Sequence, residues 1–341
     1  MIVTVTPNPS IDRTLAVPFV RRGEVIRVQS ASSEAGGKGI NVSRALALMG
    51  VPTLAIAPAS AATRARLDDL LAGSTPLRTV PIDGEIRVNL SLVEPDGTVT
   101  KVNEPGPTLT ERDATAVLDA IVTTILDVLG ASPAPSADAA PTARSDRAAL
   151  EPRAAMTPDG DWVVGCGSLP PGLPEAFYAK LAACLPSTIR VAVDADRSAL
   201  RAVVGTAVAL LKPNRAELEE VIGRDLPTLG DVADAAAELV AGGAERVLVS
   251  LGPDGALVVG GTGACHAEAA IDDVANPVGA GDALLAGFLA GGATAAALPT
   301  AVAWSVAACR APGTRMPAVA PRDEAVVRMH STIDRARRLA S

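Results

Sequence analysis

Ala209-Leu210-Leu211-Lys212-Pro213-Asn214-Arg215-Ala216-Glu217-Leu218-Glu219-Glu220-Val221-Ile222 sets a short apolar strand directly before a helix. Working outward, a second helical stretch at 229–241 leads to an apolar run at 246–250, and toward the N-terminus a strand at 190–193 follows a helix at 175–184 and a strand at 162–166. Short β-branched runs alternating with longer Ala- and Leu-rich stretches of helical period are the pattern of parallel βαβ units. Further strands are expected at 2–6, 53–57 and 256–259, and further helices at 39–49, 110–129, 281–289 and 322–339. The expected fold is α/β: an open, doubly wound, mostly parallel sheet flanked by helices.

Two stretches break the alternation. Around 13–33, and again at 86–102, strand-like runs follow one another without a helix. Val88-Asn89-Leu90-Ser91-Leu92-Val93 before Pro95-Asp96-Gly97 and 98–102 reads as a hairpin. These stretches predict a small antiparallel sheet, residues 13–33 and 86–102, beside a core made of 1–12, 34–85 and 103–341. Residues 131–160 are half Ala or Pro without apolar period, and read as a surface insertion.

The composition narrows the function. With 30 basic and 38 acidic side chains the net charge is −8, which disfavours nucleic acid as a partner. Four scattered cysteines, Cys166, Cys184, Cys265 and Cys309, form no zinc-type pair and read as buried free thiols of a cytoplasmic protein. Met1-Ile2-Val3-Thr4-Val5 reads as a first strand rather than a leader. The uncharged stretch 284–309 is long enough for a membrane span, but its Ala and Gly content with Gly291, Gly292 and Pro299 predicts a buried helix pair. Lysine is rare, four against 26 arginines, and there are six asparagines. Lys38, Lys101, Lys212 and five of the six asparagines fall in the short segments singled out here, and the sixth, Asn276, stands two residues before one of them.

The strongest local signal is Val278-Gly279-Ala280-Gly281-Asp282, just before an apolar helix. Small residues at a helix start leave backbone N–H groups free to converge on an anion, and Asp282 in the first turn suits a general base for phosphoryl transfer; a capped helix start is the simpler alternative. A second glycine turn, Gly36-Gly37-Lys38-Gly39-Ile40-Asn41, lacks P-loop spacing. Its Lys38 and Asn41 suit a sugar or sugar phosphate, or the turn is structural. Asn214 and Glu217, three apart on one helical face, suit Mg²⁺ through its waters, or else cap the helix. Ser250-Leu251-Gly252-Pro253-Asp254-Gly255 is a strand and tight turn. His266 and His330, the two histidines, adjoin no nucleophile motif, and no Gly-x-Gly-x-x-Gly follows the first strand, so neither a hydrolase triad nor a dinucleotide site is expected.

In their order these motifs resemble the ribokinase-like phosphofructokinase B carbohydrate kinases: Thr6-Pro7-Asn8-Pro9-Ser10-Ile11-Asp12, the turn at 36–42, Lys101-Val102-Asn103-Glu104-Pro105-Gly106-Pro107, 167–172, 212–217 and 279–282. Within that family the segments 8–12, 39–42 and 101–107 are similar to the 1-phosphofructokinase and tagatose-6-phosphate kinase branch. The resemblance implies ATP-dependent phosphorylation of fructose 1-phosphate at its 6-hydroxyl. It leaves open fructose 6-phosphate or tagatose 6-phosphate phosphorylated at C1, and an inactive sugar-phosphate-binding regulator. It further implies that Asp282 is the base within the 279–282 turn, Gly279, Ala280 and Gly281 forming the anion cradle. Sugar and phosphate would be held by Asp12, Gly37, Lys38, Asn41 and Arg87, ATP by Lys212, Asn214, Ser250, Gly252 and Gly255, and Mg²⁺ by Asn214 and Glu217 through water. Arg27 would reach the phosphate from a partner subunit, the small sheet being a lid that pairs in a homodimer. The chain departs from the family at Ala57-Pro58-Ala59-Ser60-Ala61-Ala62, where relatives have a glycine-rich turn, and at Pro277, in place of a small hydroxyl residue.

Overall fold

The computed structural model describes residues 1–132, 160–261, 263–311 and 316–340, so the expected insertion at 131–160 lies almost wholly outside the described residues. The chain runs β1 (Ile2–Val5), β2 (Ser10–Ala16), β3 (Ser30–Gly36), α1 (Lys38–Leu48), β4 (Thr53–Ala59), α2 (Ala61–Leu71), β5 (Leu77–Pro81), β6 (Arg87–Val93), β7 (Val99–Asn103) and α3 (Glu111–Leu129). It continues with β8 (Trp162–Gly167), α4 (Phe177–Cys184), β9 (Arg190–Ala195), α5 (Arg197–Val203), β10 (Leu210–Leu211), α6 (Arg215–Ile222), α7 (Leu229–Ala241), β11 (Arg246–Ser250), β12 (Ala256–Gly260) and β13 (Gly263–Ala269). It closes with α8 (Ala280–Ala290), α9 (Leu298–Cys309), α10 (Pro321–Ala325) and β14 (Val327–His330).

The large sheet has the order β14-β13-β12-β11-β10-β9-β8-β1-β4-β5. From β11 to β5 every pair is parallel, and β12, β13 and β14 add an antiparallel edge. Both faces are covered. Val3, Val5 and Val163 point with Ile121, Phe177, Leu200 and Leu239 into one apolar layer, while Ile2, Trp162 and Val164 face α1, α8 and α9 in the other. Strands buried on both faces must be uniformly apolar, as β1 and β8 are. The uncharged stretch 284–309 is the buried pair α8 and α9, and no described helix is long and apolar enough to cross a membrane.

Strand order reverses between β1 and β8: the chain proceeds from β1 to β4 and β5 on one side and from β8 to β9, β10 and β11 on the other. Open α/β sheets bind ligands at such a switch point, beyond the carboxyl ends of the strands. The smaller sheet, β3-β2-β6-β7, stands beside that end. Its outer pairs are antiparallel and its central pair, β2 with β6, is parallel.

Two expectations need correction. Residues 322–339 are not one helix: α10 ends at Ala325 and β14 pairs with β13 as the outermost strand of the sheet. The open edge of β13 offers hydrogen bonds that outweigh the helical preference of this segment. The cysteines are unpaired as expected, but among the four Cys166 alone is buried; Cys184 is exposed, and Cys265 and Cys309 are half-buried.

Candidate active site

The carboxyl ends of the parallel strands carry most of the polar side chains at issue. Asn8 follows β1, Ser168 follows β8, Asp194 lies in β9, Lys212 follows β10 and Ser250 ends β11. Asn8 pins two connections together, its Nδ2 donating to Pro105 O (3.0 Å) and Ser168 Oγ (3.4 Å).

Two helices, α1 and α8, start from a glycine at positive φ. Helices α2, α3, α6 and α7 each bind a first-turn N–H with the side chain of Ser60, Thr110, Asn214 or Thr228. Helices α1 and α8 start from Gly37 (φ 111°) and Gly279 (φ 85°) with no side-chain cap, which leaves their amides for an outside acceptor. A side chain at either φ is strained, so glycine is required there. The two helices pack together, and Asn41 Nδ2 of α1 donates to Asp282 Oδ2 of α8 at 2.8 Å. Asn41 Oδ1 in turn accepts from Arg44 at 2.9 Å, which fixes the orientation of the amide.

Asp282 is buried at this junction. Burial, reinforced by the negative charge of Asp194, pushes its carboxyl up to about 6. Lys212 closes the other side: its amine lies 3.7 Å from where a Cβ on Gly281 would stand, and 2.8 Å from Asp194 Oδ2. Asp194 is fully buried, which alone would raise its carboxyl, but Lys212 and Lys38 together hold it below the ordinary range.

On the side of the smaller sheet, Asp12 Oδ1 accepts from Ser10 Oγ (2.7 Å) and Asn89 Nδ2 (2.9 Å). Gly36 packs so close to the Asp12 carboxylate that a Cβ there would collide with it. Thr6 Oγ1, Asn8 Oδ1, Arg87 Nε and Asn89 Oδ1 are buried with no hydrogen-bond partner among the described residues. Unpaired buried polar atoms gathered in one region mark a place for a polar ligand rather than a finished core. Burial draws the Arg87 guanidinium down, against the pull of Asp12 and Asp196.

Beyond α8 opens a cleft of about 1030 Å³, walled by Asn214, Ser250, Gly252, Gly255, Gly281 and Val306. Such a volume holds a nucleotide. Pro277 lines this cleft, and the Val278 N–H beside it donates to Asn276 Oδ1. The departure at 57–62 is local: Ser60 caps α2, and Thr63 bonds Glu85 at 2.9 Å.

Asn214 and Glu217 do cap α6, in a reciprocal box: Asn214 Oδ1 accepts from Glu217 N–H and Glu217 Oε2 from Asn214 N–H, both at 2.8 Å. Glu217 Oε1 lies outside the box, 3.8 Å from Lys38 Nζ. Lys101 and Arg27 are exposed. Asp194 and Asp196 were not singled out in the sequence, although an aspartate ending an apolar parallel strand was the available signal.

The sequence matches the pfkB family carbohydrate kinase profile over residues 136–317. The 1-phosphofructokinase of Rhodobacter capsulatus is 34% identical over 292 residues, 84% of this chain and 82% of that protein. The chain belongs to the pfkB family of carbohydrate kinases. The 1-phosphofructokinase of Bacillus subtilis is 32% identical, covering 85% of each chain. Phosphofructokinase-2 from Escherichia coli in complex with fructose-6-phosphate superposes on this kinase with a TM-score of 0.74 and 31% identity, across 95% of this chain and 96% of that one. A fructose-phosphate kinase activity follows from these relationships, and family membership implies ATP as donor.

Proposed function

We propose that this kinase transfers the γ-phosphoryl group of ATP to the 6-hydroxyl of fructose 1-phosphate, giving fructose 1,6-bisphosphate and ADP. The observation that carries the reading is the buried Asp282 carboxylate at an uncapped helix start whose Ala280 and Gly281 wall a nucleotide-sized cleft, hydrogen-bonded to Asn41 of the helix whose glycine turn packs on Asp12. Asn41 occupies Oδ2 and leaves Oδ1 to take the proton of the attacking hydroxyl. As that oxygen bonds to the γ-phosphorus and the β–γ bridge breaks, the amides of Ala280 and Gly281 and the Lys212 ammonium hold the developing charge. Asp12, Gly37, Asn41 and Arg87 would hold the sugar and its phosphate, and Ser250, Gly252 and Gly255 the nucleotide.

Magnesium accompanies the nucleotide in this reading and offsets the charge of its phosphate oxygens. The residues fit it in part. Oxygens of Asp194, Asp196 and Glu217 surround one cationic atom, the Lys38 amine, yet no three such side chains among the described residues form a metal site by themselves. Glu217, through Oε1, would hold the ion by water, with phosphate oxygens completing its shell. We also propose a cytoplasmic homodimer through the smaller sheet. Val25 (86% exposed), Val28, Val99 and Val102 leave apolar surface there, and Arg27 stands in the same loop.

The 32–34% identity to proteins named 1-phosphofructokinase favours fructose 1-phosphate. A second reading, fructose 6-phosphate phosphorylated at C1, is supported by the likeness to the fructose-6-phosphate complex of phosphofructokinase-2. Phosphorus NMR of the product made from fructose 1-phosphate and ATP tests the first reading: a new phosphomonoester resonance coupled to the C6 protons is expected, and no product would remove it.

Asp282 must be charged to act, so kcat/KM should fall as pH drops through about 6. Asn41 donates to the charged form and opposes the burial effect. Asn41→Ala should therefore move the acid limb of the pH–rate profile upward; a limb at or below the parent's would contradict the role of this hydrogen bond.

The C-terminal segment reaches the nucleotide cleft from outside. Arg337 bonds Asp254 Oδ1 (3.1 Å) and Glu268 Oε2 (2.6 Å), Ala340 N–H bonds Asp254 Oδ2 (2.7 Å), and Arg215 bonds Ala340 O (2.8 Å). Asp254 belongs to the Gly252–Asp254 turn in the cleft wall, so the segment straps that turn in place. Arg337→Ala should raise KM for ATP by about tenfold, through the loss of its charge-assisted hydrogen bond to Asp254, with kcat and the sugar KM near the parent's. Equal changes in both KM values would count against the strap.

A further inference from the structure

Asn41 and Arg44 lie three residues apart on α1 and so share one face of that helix. The Arg44 guanidinium makes two hydrogen bonds there, through Nη2 to Asn41 Oδ1 at 2.9 Å and through Nη1 to Ala35 O at 3.3 Å. Ala35 is buried in β3, one residue before Gly36, which packs on the Asp12 carboxylate. The guanidinium is thus tied to the strand that leads into α1, and one of its N–H groups is aimed at the amide that touches Asp282.

A primary amide has a donating end and an accepting end, whereas a guanidinium can only donate. With Arg44 on one side, the Asn41 oxygen has to face the guanidinium. Nδ2 is then left to face Asp282 Oδ2, to which it donates at 2.8 Å. A donor at that oxygen favours the carboxylate. It also denies the protonated carboxyl an acceptor, because Asn41 Oδ1 is already taken. Without Arg44 the amide would be free to turn over and accept the Asp282 proton, and the neutral acid would gain a hydrogen bond at the carboxylate's expense. The other groups that face Asp282 are Asp194, Lys38, Lys212 and the thiol of Cys166. Asp194 is paired with both lysines and burial keeps the thiol neutral, so these groups set the charge around Asp282 whichever way the amide points.

We propose that Arg44 is a positioning residue for the phosphoryl transfer: by holding the Asn41 oxygen it keeps the amide N–H on Asp282, and so keeps that carboxyl in the form that takes the proton of the attacking hydroxyl. Its action passes through Asn41. The proposal rests on the reading of Asp282 as the base, which Asp282→Asn tests by itself. An unaltered pH profile in Arg44→Met beside an inactive Asp282→Asn would remove the proposal and leave that reading in place.

The test is the pH profile of kcat/KM with ATP and fructose 1-phosphate for Arg44→Met, Asn41→Ala and the double variant. Arg44→Met should move the acid limb upward by about one pH unit, the contribution of one hydrogen bond to a charged acceptor, while the plateau above the limb stays near the parent's. In the double variant the limb should stand where Asn41→Ala puts it, since Arg44 then has no amide to orient. A limb at the parent's pH with a lowered plateau would reduce Arg44 to a structural role, and additive shifts in the double variant would mean that its charge acts on Asp282 directly; either result overturns the proposal. A second measurement needs no substrate and does not depend on the folding of Arg44→Met. The chain has six asparagines, so spectra of ¹⁵N-asparagine-labelled protein resolve their side-chain amides, the Asn41 pair being the one lost in Asn41→Ala. In the parent those amide protons should shift as pH crosses about 6, through their bond to Asp282. Protons that do not respond would place the Asn41 oxygen toward Asp282 and contradict the orientation assigned to Arg44.

Discussion

Asp282→Asn is expected to lower kcat by roughly 10² to 10⁴, the usual contribution of a positioned general base, while sugar-phosphate binding measured by calorimetry stays within about twofold. The amide is isosteric and can still accept from Asn41, so the junction of α1 and α8 keeps its geometry. The same substitution makes a second prediction of opposite sign. A buried carboxyl pushed up to about 6 is charged at pH 7.5 against the preference of the fold. That charge lowers stability at neutral pH by at most about 3 kcal/mol, and the penalty fades as pH falls through 6 toward the unfolded value, because both states then bind the proton. Asp282→Asn should accordingly unfold at higher denaturant than the parent at pH 7.5, and the gap should close near pH 4. Lower stability at pH 7.5 together with unimpaired turnover would show Asp282 to be a structural cap.

Lys212→Met should have the largest combined effect on stability and rate. Asp194 is fully buried and Lys212 nearly so, and removing one partner of a buried pair leaves a charge in a low-dielectric place at a cost on the order of 3 kcal/mol. Lys38 remains beside Asp194 and keeps that figure from growing. The substitution also removes the cation beside Gly281, and loss of one preorganised donor to a developing charge costs about 10² to 10³ in kcat. The two effects separate in the double variant Lys212→Met, Asp194→Asn: neutralising both partners should restore much of the stability seen in urea unfolding but none of the rate. Recovery of rate together with stability would mean that Lys212 acts through folding alone.

The parallel core was legible because its strands are buried on both faces and its helices are amphipathic, so composition and period carry the signal. The strand 246–250 and the helices 215–222 and 229–241 stand where their patterns put them. β13, Gly263-Ala264-Cys265-His266-Ala267-Glu268-Ala269, and β14 carry weaker signals, since an edge strand is defined by the neighbour it pairs with. The glycine turns at 36–39 and 279–281 were readable for a different reason: a positive φ or a close approach admits little but glycine. What the sequence could not carry was the partner of each charge. Lys38, read toward the sugar, also pairs with Asp194, Asp196 and Glu217, residues up to 179 positions away that its own segment does not announce. For Asn214 and Glu217 the capping reading is the one realised: the α6 cap uses Asn214 Oδ1 and Glu217 Oε2, and Glu217 Oε1 lies 3.8 Å from Lys38 Nζ.

The central claim is that the pocket between Asp12, Arg87 and Asp282 takes a ketohexose phosphate with its free 6-hydroxyl toward the nucleotide. Its most direct test is kcat/KM from ADP release, with ATP and Mg²⁺ saturating, on fructose 1-phosphate, fructose 6-phosphate, tagatose 6-phosphate and unphosphorylated fructose. The account predicts the highest value on fructose 1-phosphate and negligible turnover of fructose. A higher value on either 6-phosphate would contradict it, reversing the sugar in the pocket and moving the transfer to C1.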